Sequence, residues 1–124
     1  MNGKKQDGKL TADLSYLYEV AAGNDAFIRD ILQMFLSNTP NGLQALEASI
    51  TQQNPDRVKF FAQKLRRPFL ALGREDVGDQ LERLERLAAT GVQSDMIRDL
   101  YDSIQQEATD CLQDVQLELN RIVK

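Results

Sequence analysis

The sequence predicts an all-α protein: an antiparallel four-helix bundle preceded by a short additional N-terminal helix. Three observations carry this expectation. Apolar residues recur at spacings of three and four along the chain, while strand-like alternation is weak everywhere. The periodic stretches are separated by short polar breaks whose Gly, Asn or Pro residues have the chemistry of helix starts and stops. Four long stretches each present one apolar stripe, and packing them side by side buries all four together.

Residues 1–9 are polar and lysine-bearing, with no apolar run behind them, and read as a flexible tail instead of a secretory leader. Residues 10–124 then form a single domain, a size that buries roughly two-thirds of its unfolded surface. A short helix falls near Asp13–Ala21. Gly23 breaks it, and Asn24 supplies a side-chain acceptor for a first-turn N–H, with Asp25 suited to the positive helix end. From there Ile28, Ile31, Leu32, Phe35, Leu36, Thr39, Leu43, Leu46 and Ile50 mark one face of a helix reaching about Gln53. Pro40 lies inside it. Because the stripe keeps its phase across Pro40, one long bent helix is expected, with two helices jointed at Asn38–Gly42 as the alternative.

Asn54-Pro55-Asp56 combines a capping side chain, proline at the first helical position and an early acid. Val58, Phe61, Leu65, Phe69 and Leu72 form the next stripe, which Gly73 can close in a left-handed conformation. Val77, Leu81, Leu84 and Ala88 repeat the pattern up to Gly91. Ser94 caps the last helix, whose inward positions are Ile97, Leu100, Ile104, Ala108, Cys111, Val115 and Leu119. Met34 and Met96 are further core candidates.

Composition narrows the function. Hydrophobic residues make up 42% and charged residues 27%, as in globular proteins. No apolar run reaches the roughly 20 residues needed to span a bilayer, so no membrane partner and a cytoplasmic location are expected. A single cysteine allows no internal disulfide, and with no histidine in the chain a zinc or copper site is not expected. No cofactor is implied. The net charge of −4 disfavours general nucleic-acid binding. That charge is uneven: six cations and no acid lie between Arg57 and Arg74, leaving −10 on the rest. The acids Asp76, Asp79, Glu82 and Glu85 read as a solvated face.

Ala62–Gly73 reads A-Q-K-L-R-R-P-F-L-A-L-G. It resembles the signature of histidine-containing phosphotransfer (HPt) domains, A-H-x-L-K-G-S-x-x-x-L-G, carried on the helix that presents the phosphorylated histidine. Upstream, Asp13-Leu14-Ser15-Tyr16-Leu17, Gly23, Phe27-Ile28-Arg29-Asp30 and Phe35-Leu36 are similar to the family's opening helices. Downstream, Leu81-Glu82-Arg83-Leu84-Glu85 resembles its third bundle helix. The resemblance covers about residues 10–91 and implies an HPt-like bundle.

It also implies that Gln63 stands where the family has its phospho-histidine. An imidazole nitrogen offers an in-plane lone pair that can attack and later release a phosphoryl group. The amide nitrogen of glutamine has no such pair, since it is delocalised into the carbonyl. Gln63 can therefore hydrogen-bond but cannot store transferable phosphate. The family's small glycine falls on Arg67 and its serine on Pro68; Phe69 agrees with members that place phenylalanine there. Arg66 corresponds to the family's basic residue near the histidine. Pro68 removes the N–H that would pair with the Lys64 carbonyl, costing about 3 kcal/mol in a helix interior, so a bend or local opening is expected around residues 64–68.

A helical projection brings Asp56, Lys59, Phe60, Gln63, Arg67 and Leu70 together opposite the buried stripe. The expected partner-binding set is Lys59, Phe60, Gln63, Lys64, Arg66, Arg67 and Leu70, with no catalytic residue. The resemblance implies the partner, a response-regulator receiver domain or a histidine kinase, and a basic rim suits an acidic pocket. The same spacing fits an ordinary solvated face with Phe60 and Leu70 partly covered by neighbouring helices. An alternative function is a helical interaction or dimerisation domain unrelated to phosphorelay, with the chain a monomer or weak homodimer. An enzyme ranks last, a phosphatase in which Gln63 orients water being its one conceivable form.

Overall fold

In a computed structural model, which describes residues 14–90 and 95–122, the chain folds as five α-helices, with no strand among the described residues. They are α1 (Ser15–Ala21), α2 (Asp25–Thr51), α3 (Pro55–Ala71), α4 (Glu75–Ala89) and α5 (Asp95–Ile122). The expected tail, and the roles given to Asp13, Gly91 and Ser94, lie outside the described residues.

The helix boundaries follow local chemistry. Asn24 Oδ1 accepts the Phe27 N–H at 3.1 Å and Asn54 Oδ1 accepts the Arg57 N–H at 3.2 Å, each satisfying a first-turn donor. Pro55 occupies the first turn of α3. At the end of that helix Gly73 adopts φ +74°, with Gly73 N–H donating to Leu70 O at 3.1 Å and Arg74 N–H to Phe69 O at 2.9 Å. This pair of bonds is the Schellman closure. Helix α2 ends the same way, through Gln53 N–H to Ile50 O and Asn54 N–H to Ser49 O, but the left-handed position is taken by Gln53 at φ +55°.

Neither proline breaks its helix. α2 is one continuous element through Pro40, so the two-helix alternative is set aside. α3 likewise stays helical through Pro68, and the expected opening at residues 64–68 does not occur. Beyond the missing donor the ladder resumes at once, with Leu72 N–H reaching Pro68 O at 3.2 Å. One absent bond is tolerated where Leu65 and Phe69, on the buried side of the same turns, hold the helix down.

α2 packs on α3, α3 on α4, α4 on α5 and α5 back on α2, a closed ring in which α3 and α5 lie diagonally; α1 packs on α2. Arg98 reaches Glu47 while Tyr101 reaches Leu43, so α5 runs opposite to α2. Inside the ring Leu32, Leu46, Leu81, Leu84 and Ile104 are fully buried, each contributing roughly 1.5–3 kcal/mol by leaving water. Phe35 and Phe69 meet edge to face at 5.1 Å across α2 and α3.

The expected stripes are broadly the buried ones, with instructive exceptions. Ile31, Leu36, Ile50, Phe61 and Leu100 are only half-buried. In α5 Tyr101 joins the core, its hydroxyl donating to Leu43 O at 3.0 Å. Met34 and Met96 are not core residues: they are 57% and 52% exposed, because each sits on the solvent side of its helix.

Candidate functional site

Helix α3 places Lys59, Phe60, Gln63, Lys64, Arg67 and Leu70 at the surface and leaves Arg66 half-buried. Phe60 is 58% exposed and stacks edge to face on Phe61 at 5.0 Å, with Lys64 Nζ 6.0 Å above its ring. Arg57 Cζ lies over the Phe61 ring at 5.6 Å. Phe60 is thus held between its aromatic neighbour and a cation while most of its ring meets solvent.

Packing divides the seven residues in two. Gln63, Arg66 and Leu70 lean towards α4. Gln63 Nε2 donates to Glu85 Oε2 at 2.9 Å, and Arg66 lies 3.9 Å from Glu82, which also pairs with Arg86 at 3.6 Å. Leu70 rests over Gly78, where an added Cβ would fall 2.8 Å from Leu70 Cδ2 and 3.4 Å from Arg66 Cγ. The missing side chain lets α4 come close beneath both residues. Lys59, Phe60, Lys64 and Arg67 form the open part, and no carboxylate of the described residues pairs with these three cations. Within α3 the cations are therefore neutralised only along the edge that faces α4.

The acids of α4 are correspondingly more than a solvated face. Glu82 and Glu85 serve the α3 edge, and Asp76 serves Arg74. Apart from the last, in which Arg74 is buried, these contacts have solvent on both sides, and exposed pairs contribute about 0–1 kcal/mol each. Their effect is on the pattern of charge offered to a partner, more than on stability.

Arg74 is the last cation of the Arg57–Arg74 stretch. It is only 2% exposed. Its Nε and Nη2 donate to the two Asp76 carboxylate oxygens at 2.9 Å each, and Nη2 also reaches Glu107 Oε1 at 2.6 Å. Asp76 and then Glu107 hold the guanidinium protonated against the opposing effect of burial. Its Nη1 is buried and makes no hydrogen bond among the described residues. The residue joins the α3–α4 turn to α5, and the Asp two places on was the only sign of it in the sequence.

Beside it Cys111 is fully buried, and burial pushes its thiol up to about 12, which the nearby Arg74 charge opposes without cancelling. A thiol so protonated is inert as a nucleophile at neutral pH. A second polar cluster ties α1 to the far end of α5: Tyr18 Oη donates to Glu118 Oε2, and Arg121 donates to Glu118 Oε1 at 3.1 Å and to Tyr18 Oη at 2.9 Å. The Arg121 hydrogen bond holds the Glu118 carboxyl below its ordinary value.

Among the described residues no group of three His, Cys, Asp or Glu side chains could hold a metal ion, and no helix is long and apolar enough to cross a membrane. Compared with family models, curated proteins and solved structures, the chain matches none.

Proposed function

We propose that this chain is a pseudo-phosphotransfer module: an HPt-like four-helix bundle, α2–α5 with α1 in front, that binds a receiver domain or a histidine kinase without accepting phosphate. The observation that carries the reading is Gln63. It sits at mid-helix on the accessible side of α3, where the resembling family presents its histidine, and its amide is hydrogen-bonded to Glu85 of the next helix. An amide so placed offers a partner hydrogen bonds and no nucleophile.

The open set Lys59, Phe60, Lys64 and Arg67 supplies the docking surface, an exposed aromatic ring with three cations around it. The partner contributes the complementary acidic pocket, so charge accelerates and orients the encounter, and higher salt weakens it. Arg67, one turn from Gln63, fills the space a small residue would leave for an approaching active site, which favours binding over chemistry. The setting is the cytoplasm, where such partners work.

The test is a titration of isotopically labelled protein with receiver domains and kinases. Resonances of Lys59, Phe60, Lys64 and Arg67 should shift, and raising salt from 50 to 300 mM should weaken the complex roughly tenfold. If no receiver or kinase moves that face, or if kinase-driven transfer leaves an acid-labile phosphoryl group on the chain, the reading fails.

A further inference from the structure

On the opposite edge of α3, away from Glu82 and Glu85, the seam with α2 is not filled. A groove of about 460 Å³ opens there, within the range of sites that hold small organic ligands. On the α2 side it is lined by Asn38, Thr39, Asn41 and Gly42, small or polar groups at the level where the two helices meet. On the α3 side Phe61, Leu65 and Pro68 form an apolar wall, with Lys64 at its edge.

Three features make this more than a gap. Gly42 brings α2 against the floor: a Cβ there would fall 2.8 Å from Leu65 Cδ2, so the helices touch below the opening. Among the described residues Lys64 is the only charged one in the lining, and no carboxylate of those residues pairs with it. The amides of Asn38 and Asn41 are exposed donors on the facing wall, and no hydrogen bond within the described residues occupies them. Lys64 and the two asparagines therefore border the same opening as an aromatic and aliphatic wall.

We propose that this α2–α3 groove binds a small organic acid: a carboxylate held by Lys64 Nζ and the Asn38 and Asn41 amides, with an apolar body against Phe61 and Pro68. A carboxylate suits a cation and two amide donors on one groove, and a neutral amide in its place would lose the charge-assisted bond. A bare inorganic anion would leave the apolar wall unused. Lys64 belongs to both surfaces, but the groove lies on the α2 edge of α3, opposite the Gln63–Glu85 pair, and needs no receiver or kinase.

The probe is 4-phenylbutyrate, titrated into the full labelled chain beside its neutral twin 4-phenylbutyramide and inorganic phosphate. A ligand of about a dozen non-hydrogen atoms should bind with a dissociation constant on the order of millimolar, with saturable shifts of the Asn38 and Asn41 side-chain amides. The amide and phosphate should each bind roughly tenfold more weakly, and Lys64→Gln should lose roughly tenfold for the acid while its circular dichroism stays unchanged. A Phe61→Ala variant, checked for the same fold, should weaken the acid and leave phosphate unaffected. Absence of saturation by about 20 mM, equal binding of acid and amide, or full binding by Lys64→Gln would each overturn the proposal.

Discussion

Removing the two partly exposed carboxylates around Arg74 should damage the fold more than removing the buried arginine itself. Arg74 has almost no solvent contact, whereas the side chains of Asp76 and Glu107 remain 47% and 42% exposed. Replace Arg74 with methionine and the carboxylates return to water, while a flexible apolar chain fills most of the vacated space. The loss is then the charge-assisted bonds, offset by relief from desolvating a cation and from the unpaired Nη1. Such swaps are often near neutral, so Arg74→Met should cost about 1.5 kcal/mol or less. The combined Asp76→Asn, Glu107→Gln change instead leaves a buried guanidinium without countercharge, which costs about 3–5 kcal/mol. Arg74→Ala, which adds a cavity, should fall between them. Urea denaturation followed by helical circular dichroism, extrapolated linearly to water, measures all three. The reasoning is refuted if Arg74→Met proves as destabilising as the double carboxamide.

Two further outcomes are expected. Gly42→Ala should cost about 1–3 kcal/mol, because its Cβ would strike buried Leu65, whereas Gly78→Ala should stay within about 1 kcal/mol of neutral, since partly exposed Leu70 can swing away and alanine favours the helix; thermal melts compare the pair. Burial raises the Cys111 thiol from 9.0 to about 12 and the Tyr101 hydroxyl from 10.0 to about 12, so between these limits the unfolded chain releases protons that the folded one keeps. Stability should accordingly be flat near neutrality and fall as pH rises through about 9–12; urea midpoints at pH 8 and 10.5 measure the decline, which Cys111→Ala should make shallower.

The elements that were legible in advance are those governed by neighbours within about four residues. Asn24 and Asn54 cap, Pro55 opens α3 and Gly73 closes it, because each acts on backbone groups of its own turn. The in-phase stripe across Pro40 also gave the right reading, since a missing hydrogen bond matters less than a continuous buried face. At Pro68 the local rule was not enough for the expected opening: α3 stays helical, with Leu65 and Phe69 packed on its buried side. Gln53 shows the same limit in reverse, for a left-handed non-glycine residue is set by how α2 must turn into α3.

For the candidate site, the amino-acid sequence by itself determined the chemistry available: a chain without histidine, with an amide at residue 63 amid cations, has no imidazole to phosphorylate. It also determined the all-helical class, because spacing and capping are short-range properties. Tertiary structure alone decided which groups meet. It buried Arg74 against α5, exposed Met34 and Met96, turned Gln63, Arg66 and Leu70 towards α4, and left Asn38, Asn41 and Lys64 beside an open seam. The physical reason is that periodicity defines a helix face but not what approaches its edges. Those edges are settled by contacts between residues as far apart in the chain as 74 and 107, and no local pattern encodes them.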